Sequence, residues 1–503
     1  MLTRSARAAL GAVVPLLAAA ASAQSFDIQS FPTPNPGPFS NIFSAIAAPS
    51  DDEAWATGDF LGPPGAKEQT LAARFNGTSW VLVPSANQGS QQDDLTGVAA
   101  PEPGDAWAVG GSMFTNGTQI TLIEHWDGAK FVIVPSPNPT GTTGNSRLNA
   151  IVALASDDIW AGGEAIIGSN ILPLIEHWDG AQWSIVPTTV NTGFIFVNGI
   201  AAVGPNDIWA VGEDDFASVK PFAMHWNGSQ WTQVPVPAPA GGGDTRLRSV
   251  SADASGTVFA VGSSGNERTL AERWTGSAWV IVPTIDVNNQ DRLFGVSVRG
   301  PDDVLVAGSA IMPSGNQTTL VEWFDGTSFQ LVPSPNPDPS NTPWAMAAPP
   351  CGPRWIVGGG IKPPKLLTLA LRAAGPGGPV VDLGGGCGAG GQTAVVGPVS
   401  LGSSVVLQLV GADPGASVGL LNIAGVGPAT GCGPCALVPY SMLVLLPLAG
   451  GGTELSAAIP CEPGLLGASA VLQWTVGPAA ATGCALLGPH RALSNAVQLT
   501  IGS

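Results

Sequence analysis

The phrase LIEHWDGAQWSIVP, beginning at Leu174, nearly repeats LIEHWDGAKFVIVP, beginning at Leu122. Four more copies begin at Ala72 (AARFNGTSWVLVP), Phe222 (FAMHWNGSQWTQVP), Leu270 (LAERWTGSAWVIVP) and Leu320 (LVEWFDGTSFQLVP). A second phrase precedes each copy, as in GDAWAVG and NDIWAVG. It occurs a seventh time as GPRWIVGGG at Gly352, and its central residues are Trp55, Trp107, Trp160, Trp209, Phe259, Leu305 and Trp355. A period of about fifty residues filled with short apolar runs is the mark of propeller blades. One such unit cannot bury both faces of its own sheet, so neighbouring units must cover them.

Each unit reads as four strands. In the third, LNAIVAL, DIWAGG, LIEHW and QWSIVP follow one another, with an Asp-Gly turn before the last. Asp-Gly is a hairpin signal because its glycine takes positive φ without strain. The first, second and third strand types occur seven times, counting LLTLALR at Leu366 as a third strand. The fourth type occurs only six times within the units. The missing copy stands at the front, where FDIQSFPTPNPG (Phe26) matches FVIVPSPNPTG (Phe131). The expected fold is therefore all-β: a seven-bladed β-propeller over residues 24–373, its last blade completed by the N-terminal strand. Such closure removes both sheet edges.

The pairs Gly110-Gly111, Gly162-Gly163 and Gly358-Gly359, with Trp80, Trp183, Trp231 and Trp279 later in their units, resemble kelch repeats over about 350 residues. The resemblance implies a propeller. It does not extend to a copper-radical oxidase similar to galactose oxidase. The single tyrosine, Tyr440, lies outside the repeats, and that chemistry needs ligand tyrosines within them.

The first 23 residues carry Arg4 and Arg7, then an apolar run, then Ala21-Ser22-Ala23. This pattern predicts a secretory signal peptide cleaved after Ala23, and a secreted or extracellular protein. No membrane span is expected. The net charge of −18 repels phosphate backbones, so nucleic acid is not an expected partner.

After a Gly-rich linker at 374–391, residues 392–503 read as short apolar strands with turns between, predicting a β-sandwich. Its closing pattern, LLGASAVLQWTV then LSNAVQLTIG, resembles a C-terminal module of secreted bacterial proteins. Cys351, Cys387, Cys432, Cys435, Cys461 and Cys484 are disulfide candidates in an oxidising compartment, with their pairing open. The CGPC run at Cys432 lacks the βαβ context of a redox site and reads as a structural loop.

His125, His177 and His225 share one register, as do Glu124, Glu176, Glu272 and Glu322. Equivalent positions on different blades splay around a ring rather than converge, so no metal site is expected, and bonding between blades is. The Asp pairs 51-52, 157-158 and 302-303 read as turn formers. Long connections join second to third strands and each blade to the next, all on one face, which is the expected binding face. At its inner edge Arg147, Arg246 and Arg292 stand in equivalent positions. They are candidates to hold a carboxylate or sulfate, or to pair with Asp94, Asp291 or Glu213. The expected function is non-catalytic recognition or scaffolding by a monomer binding a glycan or extracellular protein, without cofactor. The alternative is a polysaccharide hydrolase or lyase at the channel mouth.

Overall fold

The computed structural model describes residues 26–374, apart from 140–143, 242, 266–267, 289 and 350–352, and thereafter the strands between 380 and 500. Every regular element among them is a β-strand. Residues 26–374 form repeated four-stranded antiparallel units arranged as a propeller: five are separate sheets, and the first two are joined into one eight-stranded sheet by a single parallel contact, Glu68 with Gln92. Blade 1 comprises Ser40–Ser50, Glu53–Leu61, Glu68–Phe75 and Trp80–Leu82. The inner strands of blades 2 to 7 are Gln92–Glu102, Ser146–Ala155, Ile195–Gly204, Thr245–Ala252, Asp291–Gly300 and Ser340–Ala347.

Blade 7 is completed from the other end of the chain. Asp27–Ser30 pairs antiparallel with Lys365–Ala374, in the register Ser30 to Leu371. The segment that follows copies the side-chain bonds of an ordinary blade. Asn35 Oδ1 accepts from the Thr368 amide at 2.8 Å, as Asn138 Oδ1 accepts from the Thr121 amide at 3.1 Å. Phe31 lies against both Trp355 of blade 7 and Phe75 of blade 1, with centroids 5.2 and 5.8 Å away.

The core runs between blades. Trp107 of blade 2 is covered by Trp178 of blade 3 at 4.9 Å, and Trp160 and Trp209 meet Trp226 and Trp274 in the same way at 5.1 and 4.6 Å. Aromatic pairs at such separations add to the stabilisation from burial itself. The histidines were expected to bond between blades, but they bond within one. Nε2 of His125, His177 and His225 lies 2.8 Å from Oδ1 of Asp105, Asp158 and Asp207, each in the second strand of the same blade. The register explains this. His125 stands opposite Trp107 and stacks on it, and Asp105, two residues upstream, shares that sheet face. Asp158 likewise holds the Trp160 indole at 2.9 Å, so it is an anchor as well as a turn residue.

The third-strand glutamates divide into two kinds. Glu124 accepts from Ser85 Oγ at 2.7 Å, and Glu322 from the Ile285 amide at 3.0 Å, both tying neighbouring blades as expected. Glu176 and Glu272 are fully buried, and neither carboxyl meets a hydrogen-bond donor among the described residues. Burial pushes both up to about 8. The folded state therefore keeps these protons after the unfolded chain has lost them. Stability is full below the ordinary carboxyl range near 4.5 and falls as pH rises towards 8. The Glu176→Gln/Glu272→Gln variant is expected to reduce the loss of melting temperature between pH 5 and pH 8.5 by about 5 °C or more. Equal slopes for variant and wild type in a scanning-calorimetry pH series would exclude this cause.

Each inner strand is broken by a β-bulge at the same place. In blade 3 the register slips between Leu148 and Ala150, and in blade 6 between Leu293 and Gly295. The cause lies on the facing strand. A Cβ on Gly163 would fall 2.0 Å from the Arg147 carbonyl oxygen, and one on Gly308 would fall 1.8 Å from that of Arg292. Only glycine admits this approach, which lets the inner strand kink and turn one side chain towards the axis.

The second and third strands are longer than the sequence reading. In blade 3 they run Asp158–Ile167 and Asn170–Trp178, so most of the expected long loop is an extended hairpin arm closed by two residues. The connections between blades, such as 83–91 and 186–194, are long. Those on the opposite face are tight, with Gly128 at φ 96° behind Asp127.

Beyond the propeller, Val380–Gly384, Ala496–Thr500, Ser469–Gly477, Val418–Gly425 and Met442–Pro447 form one sheet. Gly390–Val396, Ser404–Ala412 and Thr453–Ala458 form another. Part of the expected linker is therefore strand, with Val380 paired to Leu499. Residues 1–23, expected to be a signal peptide, and Cys351, Cys387, Cys461 and Cys484 lie outside the described residues. For Cys432 and Cys435 only the backbone is described, each opposite the other in a two-stranded ladder.

Candidate functional site

The inner strands begin on the face that carries the long connections, and their first residues build the rim of the central channel. Buried polar side chains close the loops that lead into them. Asp93 Oδ1 accepts from the Gly89 amide at 2.8 Å and from Ser112 Oγ at 2.7 Å. Asp291 Oδ2 accepts from the Val287 and Asn288 amides at 2.5 and 2.7 Å. Asp291, a candidate partner for the arginines, is thus engaged in shaping its own loop.

Next along each strand come the candidate arginines. Arg147 bonds Asp94 of blade 2 and donates from Nε to Asn149 Oδ1 at 3.2 Å. Arg246 lies 3.3 Å from Glu213 of blade 4 and 3.7 Å from Asp244. Arg292 holds the same register opposite Ser309. Arg147 and Arg246 are half-buried, and each is matched by an acid on the preceding blade.

The rim also gathers acids that the sequence did not place together. Burial holds Asp59 up to about 8, helped by a hydrogen bond with Glu68 and by the charges of Glu68 and Asp94, with Arg147 opposing. Burial likewise raises Glu164 to about 7, against the pull of Arg147 and Asn149. Burial raises Asp94 as well, and Arg147 opposes it. Asp59, Asp94 and Glu164 thus surround one guanidinium, and at neutral pH part of this set carries protons.

Two residues deeper, the bulged side chains form a ring. Blades 1 to 4 supply Ser44, Thr96, Asn149 and Asn198, and blades 5 to 7 supply Arg248, Phe294 and Trp344. They line a cavity of about 140 Å3, floored by aliphatic residues such as Ile151, Ile200 and Val250. The polar arc is tied down. Thr96, Asn149 and Asn198 donate to the carbonyls of Leu148, Val197 and Leu247 at 2.8, 2.9 and 2.9 Å, each on the next blade. The other arc is a stack. The Arg248 guanidinium sits 5.0 Å from the Phe294 ring centre, and Phe294 lies 4.7 Å from Trp344. Trp344 is 40% exposed.

The opposite face has an open cleft between blades 2 and 3, bordered by Trp107, His125, Asp127 and Trp178. His125 is bonded to Asp105, and Asp127 Oδ1 accepts the Ala129 and Lys130 amides at 2.9 Å each. Those two amides hold Asp127 below the ordinary carboxylate range. No group of residues that could hold a metal ion occurs among the described residues.

No family model matches the chain, and no curated protein matches it. Among solved structures it is similar to YCF48 bound to D1 peptide, at 12% identity and TM-score 0.40, covering 69% of this chain and 96% of that one. It is also similar to a PL25 polysaccharide lyase, an ulvan lyase, at 13% identity and TM-score 0.42, covering 66% and 91%. A third is the fucose-specific lectin of Aleuria aurantia, at 12% identity and TM-score 0.37, covering 58% and 94%.

Proposed function

We propose that this chain is a secreted recognition protein that binds a glycan or an extracellular protein through the propeller face carrying the inter-blade loops. In this reading residues 1–23 are removed as a signal peptide, 24–373 bind the ligand, and 392–503 form an accessory module. One observation carries it: the connections between blades are long and lie on one face, while the other face has only turns closed by their own side chains. The loop face also presents Phe216, 68% exposed and tilted against Phe194 with ring centroids 5.5 Å apart. Exposed aromatics of this kind anchor many interfaces.

A polysaccharide hydrolase or lyase is the second reading, favoured by two acids, Asp59 and Glu68, on paired strands at the rim. A carboxyl held up to about 8 beside a second acid is a plausible proton donor for glycosidic chemistry. Incubating residues 24–503 with a polysaccharide panel separates the two. Recognition predicts binding with no new reducing ends and no unsaturated products. Phe216→Ala should weaken that binding about tenfold, whereas Asp127→Asn with Asp179→Asn on the turn face should leave it unchanged. Binding lost in the turn variant and kept in Phe216→Ala would place the functional face on the other side. Product formation abolished by Asp59→Asn would establish the second reading.

A further inference from the structure

The repeats allow a distinction between what the fold requires and what it leaves free. At the bulge the fold requires glycine on the facing strand and a small residue next in line. A Cβ on Gly199 would already stand 3.1 Å from the Ser249 Cα of the next blade, and one on Gly295 would stand 2.9 Å from the Met346 amide nitrogen. The bulged residue itself faces the cavity. Where it is Thr or Asn, it has a structural duty, a hydrogen bond to the next inner strand. Phe294 and Trp344 cannot donate that bond to a carbonyl from the same position, having respectively no donor and only a distant indole N–H. Nothing in the packing calls for a large aromatic pair at the axis, and Trp344 is left 40% exposed. Exposed aromatic surface that a fold does not need is a mark of ligand contact.

The chemistry of the ring is divided by direction. One side offers an indole face continued by Phe294. Beside it, Arg248 is the one charged side chain among the residues lining the cavity, in a chain whose net charge is −18. Across from it stand neutral hydroxyl and amide groups, and beneath lie aliphatic side chains. The volume of about 140 Å3 is close to the roughly 150 Å3 of a cavity that takes one benzene, which is room for a single six-membered ring.

We infer that this cavity is a subsite for one carboxylated pyranose, a uronide residue. The C–H face of the sugar packs on Trp344, its carboxylate meets Arg248, and its hydroxyls donate to the side-chain oxygens of Ser44 and Asn198, the amide hydrogens of Asn149 and Asn198 being already bonded. A guanidinium prefers a carboxylate through charge-assisted, paired hydrogen bonds. Indole and aliphatic surface suit the apolar face of a sugar ring, and amides suit its edge. This inference rests on the reading of the loop face as a glycan-binding surface and names the residue that would be recognised there.

The probes are methyl β-D-glucuronide and methyl β-D-glucoside, titrated into residues 24–503 by calorimetry and by ligand-observed NMR. The wild type is expected to bind the uronide about tenfold more tightly than the glucoside. Trp344→Ala should weaken both about tenfold, and Trp344→Phe should recover most of the loss. Arg248→Gln should make the two affinities equal while leaving glucoside binding within about threefold. Thermal melts matching wild type exclude misfolding. No uronide binding at millimolar concentration, or binding unmoved by Trp344→Ala, would overturn the subsite. Polysaccharide binding that survives Trp344→Ala but falls in Phe216→Ala would overturn the subsite and leave the loop-face reading standing. Loss of all glycan binding in the wild type would remove the carbohydrate reading of that face as well.

Discussion

A chain beginning at Gly37 is expected to melt at least about 10 °C below one beginning at Phe26, or to fail to fold. The deletion removes Phe26 and Phe31, which pack into the contacts between blades 6, 7 and 1. Burying two such rings is worth roughly 1.5–3 kcal/mol each. It also removes the ladder to Lys365–Ala374 and the bonds of Thr33 and Asn35 to Thr368, at 2.7 and 2.8 Å. Together these are a large share of the roughly 5–15 kcal/mol that hold a typical domain together. The faces of Trp355 and Phe75 become wet, and blade 7 acquires an unpaired edge prone to association. A synthetic peptide of residues 26–38 should restore much of the melting temperature when added in excess. A truncated protein that melts like the intact one would show that the N-terminal strand is not a structural part of the ring.

The second large effect is expected at Arg354, which is fully buried between blades 6 and 7. It pairs with Asp303 Oδ1 at 2.8 Å and donates to the Asp303 carbonyl at 3.2 Å and to Ser297 Oγ at 3.3 Å. Burial would raise the Asp303 carboxyl, but Arg354, Arg299 and the Trp323 indole together hold it below its ordinary value. Removing the guanidinium alone leaves that carboxylate buried with only the Trp323 indole and the charge of Arg299 to hold it. Arg354→Met should therefore cost about 3–5 kcal/mol in denaturant melts. Adding Asp303→Leu should recover most of the loss, because an apolar pair of similar volume avoids the cost of dehydrating two charges. A double variant as unstable as the single would mean that Arg354 acts through its other bonds rather than through the ion pair.

The ring of repeats was legible because its residues recur: the Trp of the second strand, the Asp-Gly turn, and the PSPNP segment whose partner TPNP stands at the front of the chain. Phe31 and Asn35 could be assigned to blade 7 before any coordinates, because their neighbours in sequence copy those of an ordinary fourth strand. The ring of bulged residues was not legible, for the opposite reason. Ser44, Asn149, Arg248 and Trp344 share a position but no chemistry, so alignment by composition passes over them. Their common feature is geometric, a bulge forced by a glycine on the facing strand, and it becomes visible only with the register known. The small-residue pattern just after them was the one available signal. The arginine register was readable, and so were two of its three candidate partners, Asp94 for Arg147 and Glu213 for Arg246, whereas Asp291 closes its own loop instead. The histidines were misassigned because strand alternation carries Asp105, Asp158 and Asp207 onto the same face as the Trp and His, and of the three only Asp158 was singled out from sequence, as a turn residue.

The strand that completes blade 7 also orders the assembly of the molecule in time. Thr33 and Thr368, which bond across that junction, are 335 residues apart. At a synthesis rate of roughly 5–20 residues per second, the first segment made waits about twenty seconds to a minute for its partner. Throughout that interval blades can stack in order, but none of them can be the last. The earliest part of the chain is therefore the latest to be used, and it acts as a clasp that fastens only behind a finished circle.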